Sequence, residues 1–252
     1  MSKNRPLALV TGAGRTVGIA ATVVTNLAES GWDVAFGHWP AYDEKMPWGG
    51  DPEAAAQLTA KITERGGRTL AMAADLADPQ APAAMFDEVT AHIGPVTALV
   101  LCHAESVNST IRDTTVDSFD QHFAVNARAT WLLIREHATR FEGEYGTGRI
   151  VAFTSDHTAG NLPYGASKGA LDRIVLAAAG EMSDLGITAN VINPGPIDTG
   201  WMTKELRAEV AAATPLGRLG TPADCANLVT FLCSPEGGWI NGQLLHSNGG
   251  IK

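Results

Sequence analysis

Residues 7–20, LALVTGAGRTVGIA, decide the fold of this chain. Leu7 to Thr11 form a short apolar run, and a turn rich in glycine follows it directly. From Gly18 to Ser30, apolar residues recur at the spacing of a helix with one buried face. The stretch therefore predicts a strand, a tight turn and a helix, the repeating unit of parallel α/β sheets.

The same alternation continues along the rest of the chain. The further predicted strands are Asp33–Gly37, Thr69–Ala73, Ala98–Cys102, Gly148–Thr154, Thr188–Ile192 and Gln243–His246. The further predicted helices are Pro52–Arg65, Pro82–His92, Phe119–Arg140, Tyr164–Leu185 and Pro222–Cys233. Because the strand runs are apolar enough to be buried on both faces, the pattern predicts one α/β domain with a Rossmann-type, doubly wound parallel sheet of about seven strands.

The turn after the first strand carries glycines at positions 12, 14 and 18. Such glycines let the backbone approach a pyrophosphate, whose negative charge then lies at the positive N-terminus of the following helix. A tight turn without a ligand is the alternative, and the position after the first strand favours a dinucleotide. The predicted cofactor contacts in this turn are Gly12, Gly14, Arg15, Gly18 and Ile19.

The tips of the second and third strands bear on the choice of dinucleotide. An acidic residue at the second tip would hold an unphosphorylated ribose, but this tip is Gly37-His38-Trp39, with no acid before Asp43. Arg15 is instead suited to a 2′-phosphate, or it is a solvated loop residue. We therefore expect NADPH or NADP, with NAD as the alternative. Asp75, at the third tip, is either an acceptor for an adenine amino group or a helix N-cap.

Composition points to a small-molecule function. The 252 residues carry a net charge of −9, which argues against nucleic acid or an anionic membrane as a partner. No apolar run is long enough to cross a bilayer, and Met1 to Arg5 lack the features of a signal peptide. Cys102, Cys225 and Cys233 have no metal-ligand spacing, so we expect reduced thiols, no metal and a cytoplasmic location.

Two long irregular segments interrupt the pattern without marking a second domain. They are His38–Asp51 and Gly195–Thr221, and ligands in open parallel sheets bind near such segments, outside the carboxyl ends of the strands. We expect residues 1–252 to form one dinucleotide-binding catalytic domain, with residues 195–221 as a substrate lid. Trp39, Trp48, Trp201 and Met202 lie in these segments and are candidates for lining an apolar pocket or for packing contacts.

Tyr164-Gly-Ala-Ser-Lys168 begins a predicted helix. The spacing of four puts the phenol and the ammonium on one helix face, with Cβ atoms about 5–6 Å apart. A tyrosine pKa of about 10 falls to near 7 only with roughly 4 kcal/mol of preferential stabilisation of the phenolate. A lysine, a nicotinamide cation and a dry pocket can supply this. The spacing alone is common by chance, so the surrounding motifs decide its meaning.

Those motifs are Asn126 in VNAR, the run 193–199, NPGPIDT, and the glycine-rich turn. In this order they resemble the short-chain dehydrogenase/reductase family, from Leu7 to Gly250. The resemblance implies that Tyr164 is the general acid/base and that Lys168 holds ribose hydroxyls and lowers the tyrosine pKa; both would contact the cofactor.

The resemblance also implies roles outside this pair. Ser155 would orient a substrate carbonyl, and Asn126 would hold a water molecule in a proton relay. The residues that the resemblance places at the nicotinamide end of the cofactor are Pro194, Gly195, Ile197 and Thr199. Without the resemblance, Ser155 is a turn cap, Pro194-Gly195 a loop former and Thr199 a helix N-cap. The family's usual oligomer faces are its two long helices, so we expect a homodimer or homotetramer, with His246–Gly250 near a subunit interface.

Three features depart from the family pattern. The first turn differs from the usual, shorter Thr-Gly-x-x-x-Gly-Ile-Gly, because Gly12 and Gly18 are further apart and Ala20 replaces the last glycine. We expect weaker or altered cofactor binding but not its loss. Leu101-Cys102-His103-Ala104 replaces the common Asn-Asn-Ala-Gly, with His103 as a structural residue or a substrate contact. Ser155 lies only nine positions before Tyr164, so the intervening loop must close tightly for Ser155 to reach the site. Asp156 and His157 in this loop are candidate substrate contacts.

The leading hypothesis is an NAD(P)H-dependent ketoreductase or alcohol dehydrogenase acting on a small carbonyl or alcohol substrate. The alternative is a non-redox enzyme of the same fold, such as a cyclase, dehydratase or dehalogenase-like lyase, that uses the same tyrosine. A catalytically silent binding protein is a third hypothesis, and the fold does not discriminate among the three.

Overall fold

The computed structural model describes residues 5–251, which form one seven-stranded parallel sheet with helices on both faces. The strands are β1 Leu7–Thr11, β2 Asp33–His38, β3 Thr69–Ala73, β4 Ala98–Leu101, β5 Arg149–Phe153, β6 Thr188–Asn193 and β7 Leu244–His246. Their spatial order is β3-β2-β1-β4-β5-β6-β7. The predicted doubly wound sheet is confirmed, and each predicted strand lies within one residue of its observed bounds.

The helices follow the prediction less closely. They are α1 Ile19–Glu29, α2 Pro40–Asp43, α3 Ala54–Glu64, α4 Ala81–His92, α5 Val116–His122, α6 Ala129–Thr139, α7 Leu162–Glu181, α8 Lys204–Ala213 and α9 Pro222–Cys233. The single helix predicted over 119–140 is α5 and α6 joined by a π-helical segment, Phe123–Arg128. The short helix α2 and the longer α8 lie in the two segments predicted to be irregular. No side chain of α8 is buried, so this helix does not pack its side chains into the core.

Two apolar clusters cover the two faces of the sheet. Successive strand residues point to opposite faces, so Leu9 belongs to the cluster under α4, α6 and α7, whereas Val10 belongs to the one under α1, α3 and α9. Leu99 and Val100 on β4 repeat the division, and all four side chains are fully buried. The hydrophobic runs of the sequence are therefore strands buried on both faces.

The strand order reverses direction between β1 and β4, since β2 and β3 lie on one side of β1 and the later strands on the other. A crevice opens at such a point beyond the carboxyl ends of the strands. Thr11 ends β1 there, and the chain leaves β4 towards His103 at the same edge. The fold thus brings the glycine-rich turn and the segment after β4 together.

The three cysteines are free thiols. Among residues 5–251, no helix is both long and apolar enough to span a membrane. Within the same residues, no cluster of three or more histidine, cysteine or acidic side chains has the arrangement of a metal site.

Leu99 provides a test of the central packing. Leu99→Ala removes a fully buried side chain from the middle strand, and we expect the free energy of unfolding to fall by about 2–5 kcal/mol. Urea denaturation followed by circular dichroism measures the change. Leu216→Ala is the matched control, because this leucine is 70% exposed. Equal midpoints for the two variants would contradict the assigned core.

Candidate active site

The glycine-rich turn packs tightly against the segment that follows β4. Gly12 has a φ of +82°, and a Cβ atom at this position would lie 2.8 Å from backbone atoms of Cys102 and His103. Only glycine fits both the conformation and this approach. Beyond the turn, α1 begins after Gly18 with no acidic residue in its first turn, so the N-terminal N–H groups keep their positive field.

His103 is a buried structural residue. Its Nδ1 lies 2.7 Å from the Thr11 hydroxyl, and its Nε2 lies 3.1 Å from the Val125 carbonyl oxygen. A carbonyl only accepts, so Nε2 carries the proton and the Thr11 hydroxyl donates to Nδ1. Burial, together with the positive charge of Lys168, lowers the pKa of His103 to about 3. The neutral ring therefore ties β1, β4 and the π-helical segment together, and it is not placed as a substrate contact.

Lys168 and Tyr164 lie one turn apart near the start of α7. Lys168 is buried, and its Nζ donates to the carbonyl oxygens of Phe153 at 2.9 Å and His103 at 3.4 Å. The same Nζ is 5.8 Å from the centroid of the Tyr164 ring. The structure thus brings the predicted pair together, with the ammonium anchored at the ends of β4 and β5.

The protein's own groups move the two pKa values in the directions that burial dictates. Burial lowers the pKa of Lys168 to about 8, while Cys102 and Asp172 oppose this shift. Burial raises the pKa of Tyr164, and a hydrogen bond with Ser155 opposes the rise. The lowered tyrosine pKa that the resemblance implies is therefore absent from residues 5–251 taken alone, because desolvation of the phenolate outweighs the opposing hydrogen bond. The phenol is protonated at neutral pH.

Ser155 lies near the tyrosine despite the short loop, close enough to oppose the rise in the pKa of Tyr164. Its hydroxyl accepts the His157 backbone N–H at 3.1 Å. The tight closure depends on Gly165, where a Cβ atom would lie 2.0 Å from the His157 carbonyl oxygen. The side chains of Asp156 and His157 are exposed at the edge of this loop.

Asn126 lies in the π-helical segment and is fully buried. Its Nδ2 donates to the Glu105 carbonyl oxygen at 2.9 Å and the Ser167 hydroxyl at 2.8 Å, and its Oδ1 accepts the Glu105 N–H at 2.8 Å. Both amide protons are thereby used, so the side chain links the segment after β4 to α7. A π-helical turn is a frequent feature of functional sites. The water-relay role of Asn126 stays a prediction.

The residues predicted for the nicotinamide end follow β6. Gly195 has a φ of +62°, and its N–H donates to the Asn193 side chain at 3.1 Å. Pro194 and Ile197 are buried, and Ile197 pairs with Gly220 at the base of the predicted lid. Thr199 accepts a hydrogen bond from Arg15 through its carbonyl oxygen at 3.1 Å. Thr199 is not a helix N-cap, because Thr203 caps α8.

Asp75 accepts the Ala77 N–H at 2.9 Å, and α4 has Gln80 as its N-cap. The N-cap alternative for Asp75 is therefore wrong, and its adenine contact stays a prediction. Among the tryptophans, Trp39 and Trp201 are exposed, whereas Trp48 is half-buried and donates to Asp43 at 3.0 Å.

Tyr42 and Glu105 are two further functional candidates that the sequence did not predict. Burial raises the pKa of the Tyr42 phenol, with further contributions from Glu105, Asp43 and Tyr164, while the Ser106 N–H opposes the rise. Burial also raises the pKa of Glu105. Tyr42 thus lies near the Tyr164 phenol. In the sequence, the one indication of a role for Tyr42 was its position in the long segment after β2.

Comparison with known proteins shows which family the chain resembles. A family model described as enoyl-(acyl carrier protein) reductase matches residues 12–252. An uncharacterized oxidoreductase, YjdA, from Bacillus subtilis is 35% identical over 250 residues, covering 97% of this chain and 96% of that protein. A chloroplastic NADPH-dependent aldehyde reductase-like protein from Arabidopsis thaliana is 35% identical over 261 residues, covering 97% and 93%.

A crystal structure of a short chain dehydrogenase from Burkholderia cenocepacia in complex with NADP superposes with a TM-score of 0.86 at 31% identity, covering 98% of each chain. The chain belongs to the short-chain dehydrogenase/reductase family and is an NAD(P)-dependent oxidoreductase. The relatives do not favour the non-redox alternative.

The buried His103 makes a specific prediction about stability. Unfolded histidine has a pKa of about 6.5, so between pH 6.5 and pH 5 the unfolded state binds a proton that the folded state does not. As the pH is lowered through this window, the free energy of unfolding therefore falls, by about 2 kcal/mol for this histidine. In His103→Gln, the fall in the free energy of unfolding from pH 7 to pH 5 should be smaller by that amount. His92→Gln, at an exposed position, should keep the wild-type slope; a wild-type slope in His103→Gln would refute the assignment.

Proposed function

We propose that the chain uses NADPH to reduce the carbonyl group of a small aldehyde or ketone, or oxidises the corresponding alcohol with NADP. One observation carries this proposal. The Tyr164 phenol and the buried Lys168 ammonium lie one helical turn apart on α7, with the Lys168 Nζ 5.8 Å from the centroid of the phenol ring. A phenol in this position suits proton donation to a carbonyl oxygen.

The glycine-rich turn fits the cofactor. Its backbone approaches the segment after β4 closely at Gly12, and an oxygen of the Asp43 carboxylate lies against Gly14, at 2.2 Å from where a Cβ atom would be. The turn therefore accepts an anionic oxygen at close range, as a pyrophosphate requires. Arg15 provides a guanidinium for a 2′-phosphate, and the names of the relatives that mention NADPH or NADP support this choice over NAD.

When bound, the nicotinamide supplies the hydride for the carbonyl carbon. The Ser155 hydroxyl donates a hydrogen bond to the carbonyl oxygen and so orients it. Tyr164 would donate its phenol proton to this oxygen, which becomes the hydroxyl oxygen of the alcohol. Lys168 would stabilise the phenolate that remains and would hold ribose hydroxyls of the cofactor. Asn126 positions this arrangement through Ser167 and the backbone of Glu105.

The remaining predicted residues receive roles along the cofactor and at the substrate. Asp75 contacts the adenine, and residues 195–221 cover the substrate. The residues at the nicotinamide end are Pro194, Gly195, Ile197 and Thr199.

We also propose a homodimer or homotetramer in the cytoplasm. Phe119 and Trp131 are exposed apolar side chains on α5 and α6, and Phe231 is a third on α9. Aromatic side chains are enriched at protein interfaces, and Phe119 and Trp131 lie on the helices that the family resemblance marks as oligomer faces. Size-exclusion chromatography with light scattering measures the oligomeric state.

Tyr164→Phe tests the chemistry. We expect kcat for reduction of a panel of aldehydes and ketones to fall about 100-fold or more, because the proton donor is lost. The dissociation constant for NADPH, measured by fluorescence of the bound nicotinamide, should change by no more than about twofold. Tyr145→Phe is the matched control, since this tyrosine is 76% exposed.

Three outcomes would contradict the proposal. They are wild-type turnover in Tyr164→Phe, no NADPH-dependent turnover of any carbonyl by the wild type, and no binding of NADPH at millimolar concentration. The last would favour the non-redox alternative.

A further inference from the structure

Residues 39–51, which we name the strap, run from β2 to the start of α3 across the glycine-rich turn. Asp43 in α2 is buried, and its Oδ2 lies 2.2 Å from where a Cβ atom on Gly14 would be. Its Oδ1 accepts the Trp48 indole N–H at 3.0 Å and lies 3.5 Å from the Arg15 Nε. The strap therefore places a carboxylate directly on the turn.

A second contact fixes the other end of the strap. Asp51 Oδ2 accepts the backbone N–H of Thr16 at 3.0 Å and its hydroxyl at 2.7 Å. Between the two contacts, the Arg15 guanidinium lies over the Trp48 ring, 4.8 Å from its centroid. The strap thus binds one backbone N–H of the turn through Asp51. It also pairs the Arg15 guanidinium with the Asp43 carboxylate and covers one face of it with the Trp48 ring.

The strap also extends towards the reaction centre. Tyr42 precedes Asp43 in α2, and its phenol lies close enough to Glu105 and Tyr164 for both to contribute to its raised pKa. A dinucleotide that contacts both the glycine-rich turn and Tyr164 must follow the same path. The strap and the cofactor therefore use the same groups of the protein.

The carboxylate that the strap places on the turn has the same sign of charge as the ligand that the turn would hold. The Asp43 carboxylate and a pyrophosphate are both anions, and like charges at contact distance repel each other. A phosphate at Arg15 carries more charge than a carboxylate and forms paired hydrogen bonds with a guanidinium. It is thus the stronger partner for this arginine.

We propose that residues 39–51 compete with the dinucleotide for the glycine-rich turn, with the Asp43–Arg15–Trp48 contact as the latch, and that the 2′-phosphate of NADPH releases the strap by taking Arg15 from Asp43. This inference rests on the proposed function. It makes Asp43 a determinant of cofactor affinity, because each binding event must first open the latch, and the apparent affinity falls with the fraction of closed strap. NADH, which lacks the phosphate, has no group to replace Asp43 at Arg15.

Asp43→Asn tests the latch, because it removes the charge and keeps an oxygen for the Trp48 N–H. We expect the dissociation constant for NADPH, measured by nicotinamide fluorescence, to fall about threefold to tenfold. Amide hydrogen exchange in residues 40–50, measured by mass spectrometry on the protein without added nucleotide, should become faster. Glu44→Gln is the matched control, since it removes a neighbouring exposed charge of the same strap. It should leave both measurements at wild-type values.

Arg15→Met separates the two roles of the arginine. It removes the latch and the phosphate contact together, so exchange of residues 40–50 should again become faster, while the ratio of NADPH to NADH affinity falls. The proposal would be overturned if Asp43→Asn left NADPH binding unchanged or weaker, or if it left amide hydrogen exchange in residues 40–50 unchanged. If the wild type and all variants fail to bind NADPH, the proposed function fails, and the exchange rates alone then decide whether Asp43 latches the strap.

Discussion

The buried ammonium of Lys168 is the constraint on which the site depends. A cation removed from water is costly unless hydrogen bonds replace its hydration, and here the carbonyl oxygens of Phe153 and His103 do so. These carbonyls end β5 and follow β4, so the two strands and α7 must meet at one edge of the sheet. Tyr164, one turn earlier on α7, is thereby held beyond the carboxyl ends of the strands, where ligands bind in folds of this kind.

A second set of buried polar groups extends this arrangement. His103 joins Thr11 to the Val125 carbonyl, and Asn126 joins the segment after β4 to Ser167 on α7. Each group has its partners, which is the condition for keeping polar atoms in a core. This network explains how the chain tolerates a histidine in the segment where its family commonly has Asn-Asn-Ala-Gly. The tautomer of His103, with one nitrogen donating and one accepting, supplies both kinds of hydrogen bond.

Arg15 connects the segment after β2 to the segment after β6. Its side chain contacts Asp43 and Trp48 on one side and the Thr199 carbonyl on the other. The segment after β2 and the base of the predicted lid are therefore coupled through one guanidinium. A substitution of Arg15 would affect both segments, because a single charged group serves both sets of partners.

The sequence alone determined the sheet, the glycine-rich turn and the placement of Tyr164 with Lys168 on one helix face. Local periodicity encodes these features, since apolar runs specify buried strands and a spacing of four specifies a shared face. The sequence did not predict helix α8, because this helix buries no side chain. It did not predict the π-helical segment, because the apolar spacing of this segment resembles that of an α-helix.

Only the tertiary structure decided how the side chains pair. It placed Ser155 near Tyr164 at the end of a loop closed at Gly165, and it showed that burial raises the pKa of this tyrosine. It also joined Lys168 to a carbonyl 65 positions away and Arg15 to one 184 positions away. No local pattern specifies such partners, because each pairing depends on where the sheet brings distant segments together.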